Sequence, residues 1–143
     1  MTFVAAIMFG ITPTGAAEKP ANPLAADKPI KVSAAEATGP IFSSPAAVKE
    51  NGPDGPAKNV LLLRSKDKRV EMGLYEAGPL EEDVSTYPED EFMYFLAGGV
   101  TLTSADGTVL VVKAGEGVAM PRGWKGHWST KGYKKYYVTY AMH

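Results

Sequence analysis

After Lys58, the chain consists of short runs of β-forming residues separated by turn residues. The predicted strands are residues 60–64, 70–76, 92–96, 100–103, 108–112, 118–120 and 134–140. Many short strands at this spacing are typical of a sandwich or a barrel. Asp106-Gly107 separates two of the runs and predicts a tight hairpin, because glycine accepts the positive φ of such turns. No segment has a useful amphipathic helical repeat, so the sequence predicts an all-β, jelly-roll barrel.

The chain has 143 residues, of which 45% are hydrophobic and 22% are charged. This size suffices for one domain with its own core and is too small for two. The formal net charge of −1 gives no attraction for nucleic acid or an anionic membrane surface, because both partners need a basic face. The small basic cluster of Lys66, Lys68 and Arg69 is interpreted as the solvated edge of a strand.

Residues 1–17 carry no charge and include an apolar run at residues 3–11, followed by the small residues Gly15 and Ala17. Such a run fits a secretory signal peptide and is too short to span a bilayer. We therefore expect cleavage before Glu18, a periplasmic or secreted protein, and no membrane partner after cleavage. The usual basic residues before the apolar run are missing, so a buried N-terminal strand is the alternative. The absence of cysteine leaves the compartment open.

Residues 18–58 are rich in Ala, Pro and Gly and have no sustained period of 2 or 3.6. The prolines disfavour a helix, so we predict an extended arm. Residues 50–56, with the sequence ENGPDGP, predict a turn. The arm either remains partly ordered or pairs with a neighbouring subunit.

Two motifs between Tyr87 and Trp128 have a recurring spacing. In the first, six residues separate Glu91 from Gly98-Gly99; in the second, five residues separate Gly115 from PRGWKG at residues 121–126. Together, YPEDEFMYFLAGG, PRGWKGHW and KKYYV resemble the cupin family, and within it the branch of ureidoglycine aminohydrolase domains and ethanolamine-utilisation barrels. The resemblance implies that residues 59–143 form a cupin jelly-roll barrel.

The resemblance also implies a metal site built from two histidines and a glutamate of the first motif and one histidine of the second. The first two positions fall on Val84 and Thr86, or on Ser85 and Tyr87 with a gap one residue shorter. The third falls on Gly126, and His127 comes one residue late, which points its side chain to the opposite face of a strand. Glu91 alone is retained.

We therefore predict no cofactor, because zinc, nonhaem iron and copper need imidazole or thiolate ligands. Mn or Mg bound through oxygen is the alternative, since acidic residues crowd residues 81–83 and 89–91. Such a site would use Glu91, with His127 doubtful. The more ordinary interpretation of this acidic run, residues 81–83 and 89–91, is a solvated loop before a strand.

Glu91 is the central candidate residue. If it faces into an apolar barrel, desolvation raises the pKa of its carboxyl toward the range of a general acid or base. The structural alternative is a salt bridge with Lys134 or Lys135 on the last strand. The sequence leaves both possibilities open.

Aromatic residues form the rest of the candidate site. Trp124 and Trp128 share the strand parity of Gly126, and Met93 and Phe95 share that of Glu91. With Tyr87 and Lys135, these side chains would form an amphipathic pocket at the mouth of the barrel. The alternative is that the tryptophans plug the barrel as core.

A second aromatic group, Tyr133, Tyr136, Tyr137 and Tyr140, lies near the C-terminus. On a strand it would make both faces partly apolar, and the outer face would need a cover. We therefore expect a homodimer, with the arm as the alternative cover.

Three functions are compatible with these features. The first is a small exported cupin that binds a polar ligand, a carbohydrate or a ureide derivative, without a His-ligated metal. The second is a hydrolase or isomerase that depends on Glu91 or on a metal. The third is a scaffold whose barrel is plugged.

Overall fold

The structure, a computed structural model, describes residues 28–52 and 55–142, with the backbone alone for residues 51, 52 and 55. Its elements are α1 Ala34–Ala37, the 3₁₀ helix Pro40–Ser43, β1 Val48–Gly52, β2 Gly55–Arg64, β3 Val70–Ala77, β4 Leu80–Val84, β5 Asp90–Ser104, β6 Val109–Lys113, β7 Gly117–Met120, β8 Gly126–Thr130 and β9 Tyr133–Tyr140. The predicted signal peptide lies outside the described residues, so export stays a prediction. Neither described helix is long and apolar enough to cross a membrane.

The strands form a curled antiparallel sheet in the order β1-β2-β3-β9-β5-β8-β4, with β6 and β7 also paired to β5. β5 belongs to both layers of the barrel. Its first part pairs with β9 and β7, and its second part pairs with β8 and β6. The two layers enclose one core of buried apolar residues, and the predicted all-β jelly-roll barrel is confirmed.

β5 changes the parity of its buried residues where it passes from one layer to the other. The buried residues are Glu91, Met93 and Phe95 before this point, then Val100 and Leu102 after it. The change occurs where the pairing with β9 shifts its register and Gly98 has a φ of +66°. Such a bulge reverses which side chains face inward. The Gly98-Gly99 pair of the first motif therefore keeps both parts of β5 facing the same core.

Each of the seven predicted strands overlaps a strand of the sheet. The two predicted runs at residues 92–96 and 100–103 are parts of the single strand β5. The predicted hairpin joins β5 to β6 through Gly107, which has a φ of +88°. The carboxylate of Asp106 fixes this turn by accepting from the backbone N–H of Thr108 at 2.9 Å.

The prediction that residues 18–58 contain no helix is wrong for residues 34–43. Ser33 and Glu36 form a capping box, in which each side chain bonds to the other residue's backbone N–H. This satisfies donors that a short helix leaves free, and the alanines that follow favour helix. The sheet also extends into the predicted arm, through β1 and the first residues of β2. Phe42 packs on Val60 and Leu74, on the outside of the barrel.

The prediction of an acidic loop at residues 81–83 is also wrong, because these residues lie on β4. Leu80, Glu82 and Val84 are buried, while Glu81 and Asp83 are exposed. This alternation is that of a strand with one face on the core, and β4 pairs with β8 along its whole length. The density of negative charge concealed this pattern.

The substitution Gly98→Ala is expected to destabilise the fold strongly. The added methyl group would lie 2.0 Å from the backbone carbonyl oxygen of Gly132, which cannot move aside cheaply. Overpacking costs about 1–3 kcal/mol, and a left-handed conformation adds about 1–2 kcal/mol for a residue with a Cβ. Urea denaturation gives the free energy of unfolding of each protein and so measures the loss of stability.

Gly107→Ala is the matched control. Gly107 also has a positive φ, of +88°, but nothing lies within 4 Å of the added Cβ. Only the backbone cost of about 1–2 kcal/mol is therefore expected. Equal losses of unfolding free energy in the two variants would contradict the close approach of Gly98 to the backbone of Gly132.

Candidate functional site

Glu91 lies on the inner face of β5 and forms a buried salt bridge with Lys135 of β9. Lys135 Nζ donates to Glu91 Oε1 at 2.6 Å, and neither side chain has any solvent-exposed surface. The hydroxyl of Tyr87 donates to the second oxygen, Oε2. Both oxygens of the carboxylate are therefore engaged. Of the two lysines considered from the sequence, Lys135 is the partner; Lys134 faces outward and donates to the carbonyl oxygen of Thr38.

The interior environment acts strongly on this pair. Burial lowers the pKa of Lys135, and the attraction of Glu91 opposes that shift. Burial also raises the pKa of the Tyr87 hydroxyl, and the negative charge of Glu91 adds to the increase. Tyr87 therefore stays a hydrogen-bond donor. Taking both charges out of water is costly, and their close contact with additional hydrogen bonding offsets that cost.

Three aromatic rings surround the ammonium group of Lys135. Its Nζ lies 5.6 Å from the ring centre of Tyr133, 5.8 Å from that of Tyr75 and 6.0 Å from that of Trp128. These distances permit cation–π attraction, which strengthens where water is excluded. Trp128 also stacks on Tyr87, with ring centres 6.4 Å apart. Trp128 thus contacts both Lys135 and Tyr87, the two residues that bond to the oxygens of Glu91.

The other predicted site residues lie in the same core or pack against it. Met93 and Phe95 are fully buried on the same face as Glu91. Trp128 is also fully buried, so in this structure it contributes to the core. Trp124 precedes β8, so the parity argument does not apply to it; its Nε1–H donates to Ser104 Oγ at 3.0 Å.

Two buried donors at the site have no acceptor in the described part of the chain. They are the indole Nε1–H of Trp128 and the hydroxyl of Tyr133, whose residues are 0% and 3% exposed. Their rings lie 6.2 Å apart. Burial, followed by the charges of nearby groups that include Glu91, raises the pKa of Tyr133, so its hydroxyl keeps its proton. Tyr133 thus belongs to the same polar interior as the salt bridge.

Sequence reasoning missed several inward-facing polar residues. Tyr133 has the same parity on β9 as Lys135, and this signal could have identified it. Tyr75 lies directly opposite Lys135 on β3, and Glu82 lies opposite Trp128 on β4. Tyr75 donates to Glu50 at 3.2 Å. These neighbours depend on strand pairing, which one sequence does not reveal.

The residues at the site do not fit a transition metal. Val84, Ser85 and Gly126 offer no imidazole, and the oxygens of Glu91 already accept from Lys135 and Tyr87. Within residues 28–52 and 55–142, no group of three or more His, Cys, Asp or Glu side chains is placed to hold a metal ion.

His127 lies on the outer face of β8, away from Glu91. Its two ring nitrogens contact Asp83 at 2.7 Å and Glu81 at 2.8 Å, and Ser129 donates to the same Glu81 at 2.5 Å. The hydrogen bonds with Asp83 and then Glu81 raise the pKa of His127, because both carboxylates stabilise the imidazolium.

We expect the pKa of His127 to lie above its usual value of about 6.5. Since the folded-state pKa is raised, the stabilisation is fully present below the unfolded pKa and is lost as pH rises through the folded pKa. A titration of the imidazole by nuclear magnetic resonance measures the shift. Asp83→Asn should lower the pKa toward 6.5, whereas Asp67→Asn, in the turn between β2 and β3 in the other layer, should leave it unchanged. If the wild type and both variants give the same His127 pKa, the interaction of His127 with Asp83 is refuted.

The substitution Lys135→Met is expected to cost about 3–5 kcal/mol of unfolding free energy, because it leaves the Glu91 charge buried without its cation. Glu91→Leu alone should cost a similar amount. In the double variant much of the loss should return, since replacing a whole buried pair with apolar groups is often nearly neutral. Urea denaturation of the wild type, the two single variants and the double variant completes a double-mutant cycle. If the losses of the two single variants simply add in the double variant, Glu91 and Lys135 do not interact directly.

Comparison with known proteins places the chain among the cupins. Residues 64–137, just over half of the chain, match the family model of the EutQ-like cupin domain. No curated protein matches the chain in sequence.

Three solved structures illustrate the similarity of fold. The EutQ protein of Clostridium difficile is 23% identical, with a TM-score of 0.52 over 78% of this chain and 81% of that chain. The protein described as ethanolamine utilization protein Q from Salmonella typhimurium LT2 is 18% identical, with a TM-score of 0.53 over 65% and 76%. A Rhizobium leguminosarum protein of unknown function is 22% identical, with a TM-score of 0.54 over 80% and 99%. The family match over residues 64–137, together with this common fold, shows that the chain belongs to the EutQ-like cupin family.

Proposed function

We propose that the barrel binds a small polar ligand, a carbohydrate or a ureide derivative, in its interior. The observation that supports this most directly is the pair of buried donors, Trp128 Nε1–H and Tyr133 O–H, without acceptors among the described residues. An unsatisfied buried donor costs about 1–3 kcal/mol, and native proteins contain few of them. A ligand with carbonyl or hydroxyl oxygens would accept from both and recover this free energy.

The groups around these donors suit such a ligand. Glu91 and Lys135, which are paired with each other and fully buried, place a negative and a positive charge beside these donors. A ureide offers carbonyl oxygens together with N–H groups, and sugar hydroxyls both donate and accept. The flat faces of Tyr75 and Trp128 would hold the body of the ligand, while Tyr87, Met93 and Phe95 supply apolar surface.

The proposed entrance is an open depression of about 350 Å³ at the end of the barrel where β9 begins. Much of its wall consists of small residues: Ala77, Gly78, Ala97, Gly98 and Gly132. Tyr133 also lines the depression, and its ring packs against Trp128 inside the barrel. In this proposal the ligand reaches the interior past the Tyr133 ring.

We propose binding rather than catalysis because both oxygens of Glu91 are bonded to other side chains. A general acid or base needs an oxygen that can reach the substrate. The proposed binding uses no metal, since the donor set at the site does not fit a transition metal. In this proposal the Glu91–Lys135 pair orients the ligand and does not react with it.

The substitution Tyr133→Phe should distinguish a binding residue from a structural one. Removing an unsatisfied hydroxyl from the interior should leave the free energy of unfolding unchanged or raise it by about 1–3 kcal/mol. The same change should weaken ligand binding about tenfold, because one hydrogen bond to the ligand is lost. Urea denaturation measures the first effect, and tryptophan fluorescence titration measures the second.

Tyr137→Phe is the matched control, because the Tyr137 hydroxyl donates to Asn59 Oδ1 at 2.8 Å. This variant should lose about 1 kcal/mol of stability and keep its affinity. The probes are allantoin, hydantoic acid, glucose and galactose. If none of them changes the tryptophan emission and Tyr133→Phe loses as much stability as Tyr137→Phe, the proposal is wrong.

A further inference from the structure

The layer of the barrel that contains β8 ends in two edge strands, β4 and β6. β4 exposes Glu81 and Asp83, and charges of this kind keep a sheet edge from pairing with other strands. β6 has no such protection along most of its length. Val109, Leu110 and Val111 are 59%, 49% and 54% exposed, and the pairing of β6 with β5 has no bulge. β6 is therefore the unprotected edge of this layer.

The backbone of β6 has hydrogen-bonding groups that point away from β5. The Ser104 N–H donates to the carbonyl oxygen of Thr108 at 2.8 Å, which closes the β5–β6 hairpin. Because hydrogen-bonded pairs alternate along antiparallel strands, every second residue from Thr108 directs its N–H and C=O toward β5. Val109 and Val111 direct theirs to the open edge, and within residues 28–52 and 55–142 no strand other than β5 pairs with β6.

The open part of this edge stops at Lys113. The backbone N–H of Lys113 donates to Glu116 Oε2 at 2.8 Å, and its carbonyl oxygen accepts from the backbone N–H of Glu116 at 3.0 Å. This turn occupies the last groups of β6 that point away from β5. A partner strand can therefore form hydrogen bonds only with Val109 and Val111.

A second copy of the chain fits this edge. The described part of the arm packs on the other layer and does not cover β6. The exposed segment reads Val-Leu-Val in both directions, so a copy related by a two-fold axis presents the same side chains in an antiparallel strand. We propose that two copies join their β6 strands in antiparallel pairing, about a two-fold axis at Leu110. Val109 then lies opposite the partner subunit's Val111 and exchanges two backbone hydrogen bonds with it.

The side chains on both faces of β6 suit this pairing. Leu110 meets its own copy on one face, and Val109 meets the partner subunit's Val111 on the other, so apolar side chains face each other across the strands. Lys113, the one charged residue of β6, comes beside the exposed carboxylate of the partner subunit's Asp106. Each contact away from the axis occurs twice, as an isologous interface requires.

The first test is the mass of the full chain in solution, measured by light scattering after size-exclusion chromatography. Because the N–H of Val111 faces the open edge, Val111→Pro keeps the pairing of β6 with β5 and blocks a partner strand. This variant should have half the mass of the wild-type protein. Val111→Thr is the matched control, since it retains the N–H and the branched shape, and it should keep the wild-type mass. Equal masses of the wild type and a folded Val111→Pro would overturn the proposal.

The second test uses the absence of cysteine from the sequence and keeps the wild-type backbone. Under mild oxidation Leu110→Cys should form a disulfide with its own copy, because facing residues of antiparallel strands have Cα atoms about 4.5–5.5 Å apart. Val109→Cys alone should stay unlinked, since its own copy is displaced by two residues, about 7 Å along the strand. A mixture of Val109→Cys and Val111→Cys should form the disulfide.

Two outcomes of this second test would overturn the proposal. In the first, Leu110→Cys stays unlinked, which excludes antiparallel pairing about Leu110. In the second, Val109→Cys links to its own copy as readily as Leu110→Cys, which contradicts the register. Neither test depends on ligand binding inside the barrel.

Discussion

The buried pair of Glu91 and Lys135 is the constraint on which the rest of the structure depends. Its partners lie on two neighbouring strands, β5 and β9, and both must face inward. A slip of one residue in either strand would expose one charge and leave the other buried alone, a far more costly arrangement than the observed one. The pair therefore specifies the register of these strands. The bulge near Gly98 then lets β5 continue into the second layer without moving Glu91.

Much of this fold was predictable from the sequence because most strands alternate or run continuously apolar between turns. β9 is an example, since its apolar residues fall in two period-2 sets. Several elements escaped prediction, and in β4 and the arm local composition concealed the period. In β4 the charges of Glu81 and Asp83 resemble a loop, although Glu82 faces the core. In the arm, the surrounding prolines concealed the capping box of Ser33 and Glu36.

The candidate site was predictable only where the parity of one strand sufficed. Parity on β5 placed Met93 and Phe95 on the face of Glu91, and the spacing of the second motif left His127 outside. The choice of Lys135 over Lys134 required the orientation of β9 against β5. The parity argument does not reach Trp124, which lies in the turn before β8, although its ring still lies beside Gly126 and Tyr87. The donors of Trp128 and Tyr133, which lack an acceptor among the residues that the structure describes, arise from the packing of several strands, which no single segment of sequence encodes.

The two faces of β9 reverse the usual arrangement of a half-buried strand. Its inner face has Lys135 and the unsatisfied hydroxyl of Tyr133, while its outer face exposes Val138 and Tyr140. Antiparallel strands at a surface normally bury apolar residues and expose polar ones. Both departures are costly, and a polar ligand bound as proposed would relieve the inner one. Because Tyr133 and Lys135 lie on the same face of β9, a ligand that accepts from Tyr133 would, on the binding proposal, lie beside the Glu91–Lys135 pair.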